Sequence, residues 1–259
     1  MSKSFPVVTG NSDIPNETNV RLNRLEPLVE TDRLSAAQPN FWDGNAPNDL
    51  DLKVRKSLTG YIVPSGKPNA PCLPNFFAEG KGPAGNSDIC RRQTFYDGAL
   101  GERAMNALMN YADPSEIYDY ARTFVCTFHG VDATLAINCL YRSGIRAASS
   151  KIQKIHIHMH YLGAFAMIGS ADTFRKGAIM FRNTRLLAKK HRDNMIEKAN
   201  RKSAGKSYKS NSGSSLPAQT SVSFGSNASG SSNATVTDEL SPEYEARKKA
   251  RLEQGGEGR

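Results

Sequence analysis

A short apolar run that ends in an acid and a base constrains the fold more than any other part of the chain. Residues 76–78 are Phe-Phe-Ala, and they lead directly into Glu79-Gly80-Lys81, with Pro74 before the run and Pro83 after it. An apolar run bounded in this way predicts a buried β-strand. Side chains alternate along a strand, so we expect Glu79 and Lys81 to lie on the same side. The strand would then present a carboxylate and an ammonium together at its end.

Two more acidic residues lie in the segment before this strand. Residues 48–54 alternate polar and apolar side chains, which is the period-2 pattern of a half-buried strand, and Asp49 and Asp51 share one face of it. If this strand pairs with the Phe76–Lys81 strand, its carboxylates converge on Glu79. The sequence therefore predicts two neighbouring strands that carry oxygen ligands.

A helix is predicted directly after these strands. Ser87 and Asp88 are favoured N-cap residues, and an apolar stripe runs from there to about residue 110. Gly98 and Gly101 interrupt the stripe, so we expect either a close packing partner or a kink. Gln93 lies in the first turns of this helix, where it can support a site at the end of the preceding strand.

The following segments complete an α/β pattern. Residues 123–129 and 134–141 are β-like runs joined by a Gly-Val-Asp turn, and residues 152–167 form a further strand. A long helix is predicted over residues 172–203. These elements predict an α/β fold with a central mixed β-sheet flanked by helices.

Polar composition at both ends predicts the domain boundaries. Residues 1–19 predict a disordered lead, and residues 20–203 predict the folded domain. Residues 204–238 are a Ser/Gly/Asn-rich flexible linker, and residues 239–259 predict a short charged C-terminal helix and tail. Hydrophobic residues make up only 38% of the chain, as expected when polar tails dilute one ordinary core.

Targeting signals favour an intracellular protein, nuclear or cytoplasmic. The first residues lack the apolar segment of a signal peptide, and no window reaches 18 apolar residues, so we expect neither secretion nor membrane insertion. The four cysteines have no zinc-ligand spacing and predict buried free thiols. Lys248, Lys249 and Arg251 match the K-K-x-R form of a nuclear import signal, which predicts an import receptor as a partner.

The acidic residues predict a magnesium site with hydrolytic chemistry. Carboxylate oxygens from two strands are suitable ligands for Mg²⁺, and here they would come from Glu79 and from Asp49 or Asp51. Lys81 would position the attacking water or the phosphate, and Gln93 would support the site. The predicted catalytic set is therefore Asp49, Glu79, Lys81 and Gln93, and the alternative is a surface ion pair between Glu79 and Lys81.

Two blocks of this sequence carry a resemblance to a known family. Residues 74–83 (PNFFAEGKGP) and 92–105 (RQTFYDGALGERAM) resemble a fungal domain of unknown function with NFF-x-E-x-KGP and RQ-x-x-YDGA motifs. This family is related to the PD-(D/E)XK, restriction-endonuclease-like superfamily. The resemblance spans roughly residues 45–200 and implies that Glu79 and Lys81 occupy the E-x-K position, with an aspartate from the strand before it. Asn48-Asp49 stands for the Pro-Asp step of the motif, which leaves the choice between Asp49 and Asp51 open.

The charge of the chain indicates an anionic partner. The net charge is +9, and residues 174–206 carry eleven cations against only Asp193 and Glu197. A basic helix of this kind can follow nucleic-acid phosphates, although a solvated helix face has the same composition. The sequence thus supports two hypotheses: a Mg²⁺-dependent nuclease-like domain, active or catalytically decayed, and a non-catalytic basic protein that binds nucleic acid, of mobile-element or capsid-like type.

Overall fold

A six-stranded mixed sheet is the centre of the structure. The computed structural model describes residues 8–10, 13–29, 35–114, 120–144 and 155–205. The strands lie side by side in chain order, and only β3 and β4 pair in parallel, whereas every other neighbouring pair is antiparallel. The strands are β1 (Asn16–Glu17), β2 (Phe41–Asn45), β3 (Cys72–Lys81), β4 (Thr123–His129), β5 (Thr134–Gly144) and β6 (Ile155–Ala166).

Two long helices cover the two faces of this sheet. One forms the crossover between the parallel strands β3 and β4, and the other follows β6. The helices of the described residues are α1 (Leu52–Ser57), α2 (Thr59–Ile62), α3 (Ser87–Ala112) and α4 (Ala171–Ser203). The prediction of an α/β fold with a mixed sheet flanked by helices is confirmed.

Alternation along β3 divides the core between the two helices. Phe76 and Ala78 pack with Phe181 and Ala188 of α4, and Phe77 packs on the other face with Leu100 of α3. A third cluster lies where α3 and α4 meet, and it joins residues such as Leu73, Met105 and Ile196. Strand β3 is therefore buried on both faces, which explains its continuous apolar sequence.

The glycines of α3 allow the helix to approach the sheet closely. A Cβ atom on Gly98 would lie 2.7 Å from side-chain carbons of both Leu140 and Val125. A Cβ atom on Gly101 would lie 2.6 Å from the ring of Phe77. Of the two predicted explanations for these glycines, the close packing partner is therefore the one observed.

The strand predicted over residues 48–54 is wrong. Pro47–Asp49 form a 3₁₀ turn, Asp51 is the N-cap of α1, and the helix begins at Leu52. Leu50 and Val54 are buried, whereas Leu52 between them is 56% exposed. The apolar residues that matter are thus four apart, which is a helical spacing, and the short run resembled a period of two because Leu52 is also apolar.

The described residues of the N-terminal segment 1–19, which was predicted to be disordered, pack against the rest of the domain. Strand β1 pairs with β2, Ile14 is buried, and the backbone oxygen of Thr9 accepts a hydrogen bond from Arg185. The prediction of a disordered lead over residues 1–19 is therefore wrong for residues 13–19. The predicted linker beyond Gly205 and the charged tail lie outside the described residues. No helix within the described ranges is long and apolar enough to cross a membrane.

Candidate functional site

Glu79 lies buried near the carboxyl end of β3, next to Lys81. Its side chain is 3% exposed, and its Oε1 accepts a hydrogen bond of 3.0 Å from the backbone N–H of Asn40. The Nζ atom of Lys81 lies 3.9 Å from Oε2 of Glu79. The predicted placement of the acid and the base on one side of the strand is confirmed. The site lies where the parallel strands β3 and β4 end and α3 begins, a usual position for ligand binding in α/β sheets.

Helix α3 adds a second carboxylate, Asp97, to Glu79. Asp97 is 2% exposed, and its carboxyl group lies close enough to that of Glu79 for the two to interact electrostatically. Its Oδ2 atom is buried and has no hydrogen-bond partner among the described residues. Two buried carboxyl groups this close together cannot both be ionised without a strong energetic penalty. The site therefore contains two buried acidic groups that raise the cost of ionising each other.

Burial sets the protonation of this pair. It raises the pKa of Glu79, while the hydrogen bond from Asn40 and the charge of Lys81 act in the opposite direction. Burial, and after it the charge of Glu79, raises the pKa of Asp97 well above its ordinary value. Asp97 has the larger rise in pKa, so of the two carboxyl groups it takes up a proton more readily. A shared proton is typical of carboxylate pairs that act in catalysis or bind a cation.

A cleft of about 540 Å³ opens beside the two carboxyl groups. Gln93 and Tyr96, which are three residues apart on α3, both line it together with the exposed Arg92. On the opposite side the cleft is lined by residues before β2, among them Arg21, Gln38 and Asn40. The structure thus brings together Glu79, Lys81 and the predicted supporting residue Gln93.

Asp49 and Asp51 do not belong to this site. The side chain of Asp49 accepts a hydrogen bond of 3.1 Å from Asn45, and its backbone oxygen accepts one of 2.7 Å from Asn200 of α4. The backbone N–H of Asp51 donates to the same Asn200. Both aspartates follow the end of β2 that pairs with Cys72, whereas Glu79 lies at the opposite end of β3. Their contacts fasten the turn before α1 to α4, so the predicted metal set of Asp49, Asp51 and Glu79 is not assembled.

Asn40 lies beside Glu79, where Asp49 or Asp51 was expected from the sequence resemblance. Phe41 pairs with Ala78, so Asn40 lies level with Glu79, and its Oδ1 accepts a hydrogen bond of 2.8 Å from the backbone N–H of Gly80. Asp43, the nearest acid on β2, pairs with Phe76 and contacts α4 instead. The residue directly before β2 therefore contributes an amide rather than a carboxylate.

Sequence reasoning missed Asp97, although the sequence contains a signal for it. Cys90, Thr94, Asp97 and Gly101 follow each other at helical spacings of four, three and four, and all of them are buried. A charged residue on the buried stripe of a helix is unusual unless it has a partner. The stripe of α3 therefore predicts a polar interaction with the sheet, and Glu79 provides it.

Two of the cations of the basic helix α4 are buried in the core, although its composition suggests an exposed charged face. Arg185 and Arg192 are 2% and 0% exposed. Arg185 binds Asp43 through two nitrogens at 2.8 Å, and Arg192 donates to Asn45, Asn75 and the backbone oxygen of Gly44. Both arginines therefore satisfy polar groups in the core and do not face a polyanion. Lys189 pairs with Asp193 at 2.6 Å, which further reduces the free positive charge of α4.

Other sites suggested by composition are not assembled in the described residues. No group of three or more His, Cys, Asp or Glu side chains within the described ranges could hold a metal ion. The predicted import signal at Lys248, Lys249 and Arg251 lies outside those ranges.

Comparisons of the chain with protein-family models, with curated proteins and with solved structures give no match.

Proposed function

We propose that this chain is a nuclease-like phosphodiester hydrolase that depends on a divalent cation, with Glu79 and Asp97 as the cation-binding pair. The observation that carries the proposal is the closeness of two buried carboxyl groups beside Lys81, at the wall of an open cleft. The mixed sheet flanked by helices and the E-x-K arrangement on β3 agree with the restriction-endonuclease-like fold that the sequence resembles. We therefore retain that fold as part of the proposal.

The residues present fit a hard divalent cation such as Mg²⁺. Oxygen atoms are its preferred ligands, and Glu79 and Asp97 provide four of them, one of which, Oδ2 of Asp97, is buried without a hydrogen bond. With Lys81 beside the pair, the pKa values of both carboxyl groups are still raised, so full ionisation would be favoured by a further positive charge between them. When bound there, the cation would polarise a phosphoryl oxygen as a Lewis acid.

The other residues have roles that follow from their positions. Lys81 carries an ammonium group 3.9 Å from Glu79, where it can hold a phosphate oxygen or orient a water molecule. Gln93 lines the cleft together with Glu79 and Asp97 and can hydrogen-bond the substrate backbone. Arg92 and Arg21 add positive charge at the cleft, which attracts a phosphodiester.

Cleavage of a supercoiled plasmid and of a labelled single strand in Mg²⁺ or Mn²⁺ tests the proposal. We expect cleavage by the wild type and only background cleavage by Glu79→Gln and Asp97→Asn. Asp172→Asn is the matched control, because Asp172 is 73% exposed and only pairs with Lys176 on the surface of α4. A second readout is the midpoint of thermal unfolding, which Mn²⁺ should raise for the wild type and not for Glu79→Gln. Equal cleavage by wild type and both variants would contradict the catalytic role.

One observation favours a second candidate function, a nucleic-acid-binding domain that has lost catalysis. The aspartate that the resemblance implies, Asp49 or Asp51, lies away from the site, and the residue beside Glu79 is Asn40, which carries no charge. Under this alternative the wild type binds nucleic acid but does not cleave it. Asn40→Asp separates the two candidates, since an added ligand should produce or increase metal-dependent cleavage only if the rest of the site is competent.

A further inference from the structure

A second cleft of about 540 Å³ lies on the other flank of α3. Arg91, Arg92 and Phe95 line one side of it, and the opposite side is formed by β5 and β6 through Tyr141, Ile157, His158, Met159 and His160. At 100° per residue, Arg91 and Phe95 share one flank of the helix, Gln93 and Asp97 share the other, and Arg92 lies between them. Arg92 lines both clefts, so they adjoin at this residue.

The second cleft combines positive charge with an accessible aromatic ring. Arg91 and Arg92 are exposed, and Phe95 is 37% exposed although it is fully apolar. None of the described residues that line this cleft is acidic. Ile157 and Met159 on the facing strand are partly buried against the core, so they give the opposite wall a firmly supported apolar part beside its histidines. This composition suits a ligand that is both anionic and flat.

Single-stranded nucleic acid is the ligand class with these properties. Its phosphates bind arginine, and its bases stack on aromatic rings without regard to sequence. In a duplex the base faces are already stacked on each other, so a ring between a helix and a strand can reach only a base that is splayed out. Tyr96 lines the first cleft just beyond Arg92, and it offers a second ring along the same path.

We propose that the second cleft binds a single-stranded polynucleotide, with Arg91 and Arg92 on its phosphates and Phe95 stacked on a base. The bound strand continues past Arg92 into the first cleft and so reaches Glu79 and Asp97. This continuation names the substrate class of the catalytic pair and rests on the proposed function, whereas binding to the second cleft does not.

Fluorescence anisotropy with a labelled thymidylate 12-mer and a 12-base-pair duplex tests this binding, using the full chain with a chelator in place of metal. Phe95→Ala should weaken binding of the single strand about 5- to 150-fold, the range found for one stacked base. Phe95→Trp should bind as tightly as the wild type or more tightly. Arg91→Ala should lower the slope of log Kd against log salt by about 0.7. Lys56→Ala is the control for charge, because Lys56 is exposed on α1, which follows β2, three strands away from β5 in the sheet, and it should leave the slope unchanged.

The outcomes separate the two proposals. The inference is overturned if Phe95→Ala binds the single strand as tightly as the wild type does. It is also overturned if the wild type binds the single strand and the duplex with equal affinity, because binding would then depend on charge alone. Displacement of the 12-mer by polyglutamate as efficiently as by unlabelled 12-mer also overturns it. Because the chelator prevents cleavage, a loss of binding in Phe95→Ala supports the cleft even if Glu79→Gln and the wild type prove equally inactive. That last result would reject the proposed function alone.

Discussion

Replacement of Arg185 by methionine tests whether the cations of α4 hold the fold together. The guanidinium of Arg185 contacts both carboxylate oxygens of Asp43 at 2.8 Å, and the two side chains are 2% and 0% exposed. Methionine fills a similar volume but leaves the carboxylate buried without its partner. Removal of one member of such a pair costs about 3–5 kcal/mol of unfolding free energy.

The pH dependence of this loss follows from the electrostatics of Asp43. Burial already raises the pKa of Asp43 in the wild type, and Arg185 opposes that rise. Without Arg185 the pKa must rise further, so the folded variant takes up a proton more readily than its unfolded chain. The variant is therefore expected to lose more stability at pH 8 than at pH 5, since protonation neutralises the buried charge at the lower pH.

Urea unfolding followed by circular dichroism measures these differences. Lys190→Met is the matched control, because Lys190 is an exposed cation on the same helix, and its effect should stay within about 0.5 kcal/mol. The double variant Asp43→Asn with Arg185→Met should be closer to the wild type than the sum of the single losses, because no unpaired charge remains. A loss below about 1 kcal/mol for Arg185→Met, or full additivity in the double variant, would refute the reasoning.

Two further predictions concern α3. Burial raises the pKa of Glu102 from 4.5 to about 7, so the folded chain holds a proton that the unfolded chain releases. Unfolding free energy should therefore fall by about 3 kcal/mol between pH 4.5 and 7, and Glu102→Gln, measured in urea titrations at both pH values, should remove that decline. Gly98→Ala should cost about 1–3 kcal/mol in the same assay, because its Cβ would meet Leu140 and Val125 at 2.7 Å; an unchanged midpoint would contradict the close approach.

The long elements could be predicted from the sequence because their patterns are unambiguous. The Phe76–Lys81 segment forms part of β3, and the helices predicted near residues 87–110 and 172–203 correspond to α3 and α4. The segment around Asp49 and Asp51 was mispredicted because five residues with three apolar side chains fit a period of two as well as a helical turn. Only the burial of Leu50 and Val54, with Leu52 exposed, decides between them.

The candidate site could be predicted only in part, because half of it depends on contacts between distant elements. Glu79, Lys81 and Gln93 lie in one contiguous stretch, and strand alternation and helix position bring them together. Asp97 required knowledge that the buried stripe of α3 faces Glu79. Likewise, Arg185 and Arg192 are seven residues apart on the stripe that carries the apolar contacts of α4, yet by composition they resemble surface charges.

The polar contacts of α4 determine when the chain can complete its fold. Asp43 precedes Arg185 by 142 positions, and Asn45 precedes Arg192 by 147. During synthesis, β2 and β3 therefore emerge with buried polar groups whose partners have not yet been made. The sheet can form early contacts, but its core cannot close until α4 has left the ribosome. Such distant pairings slow folding and leave apolar strands exposed meanwhile, so a chain that stops before α4 is expected to aggregate rather than fold.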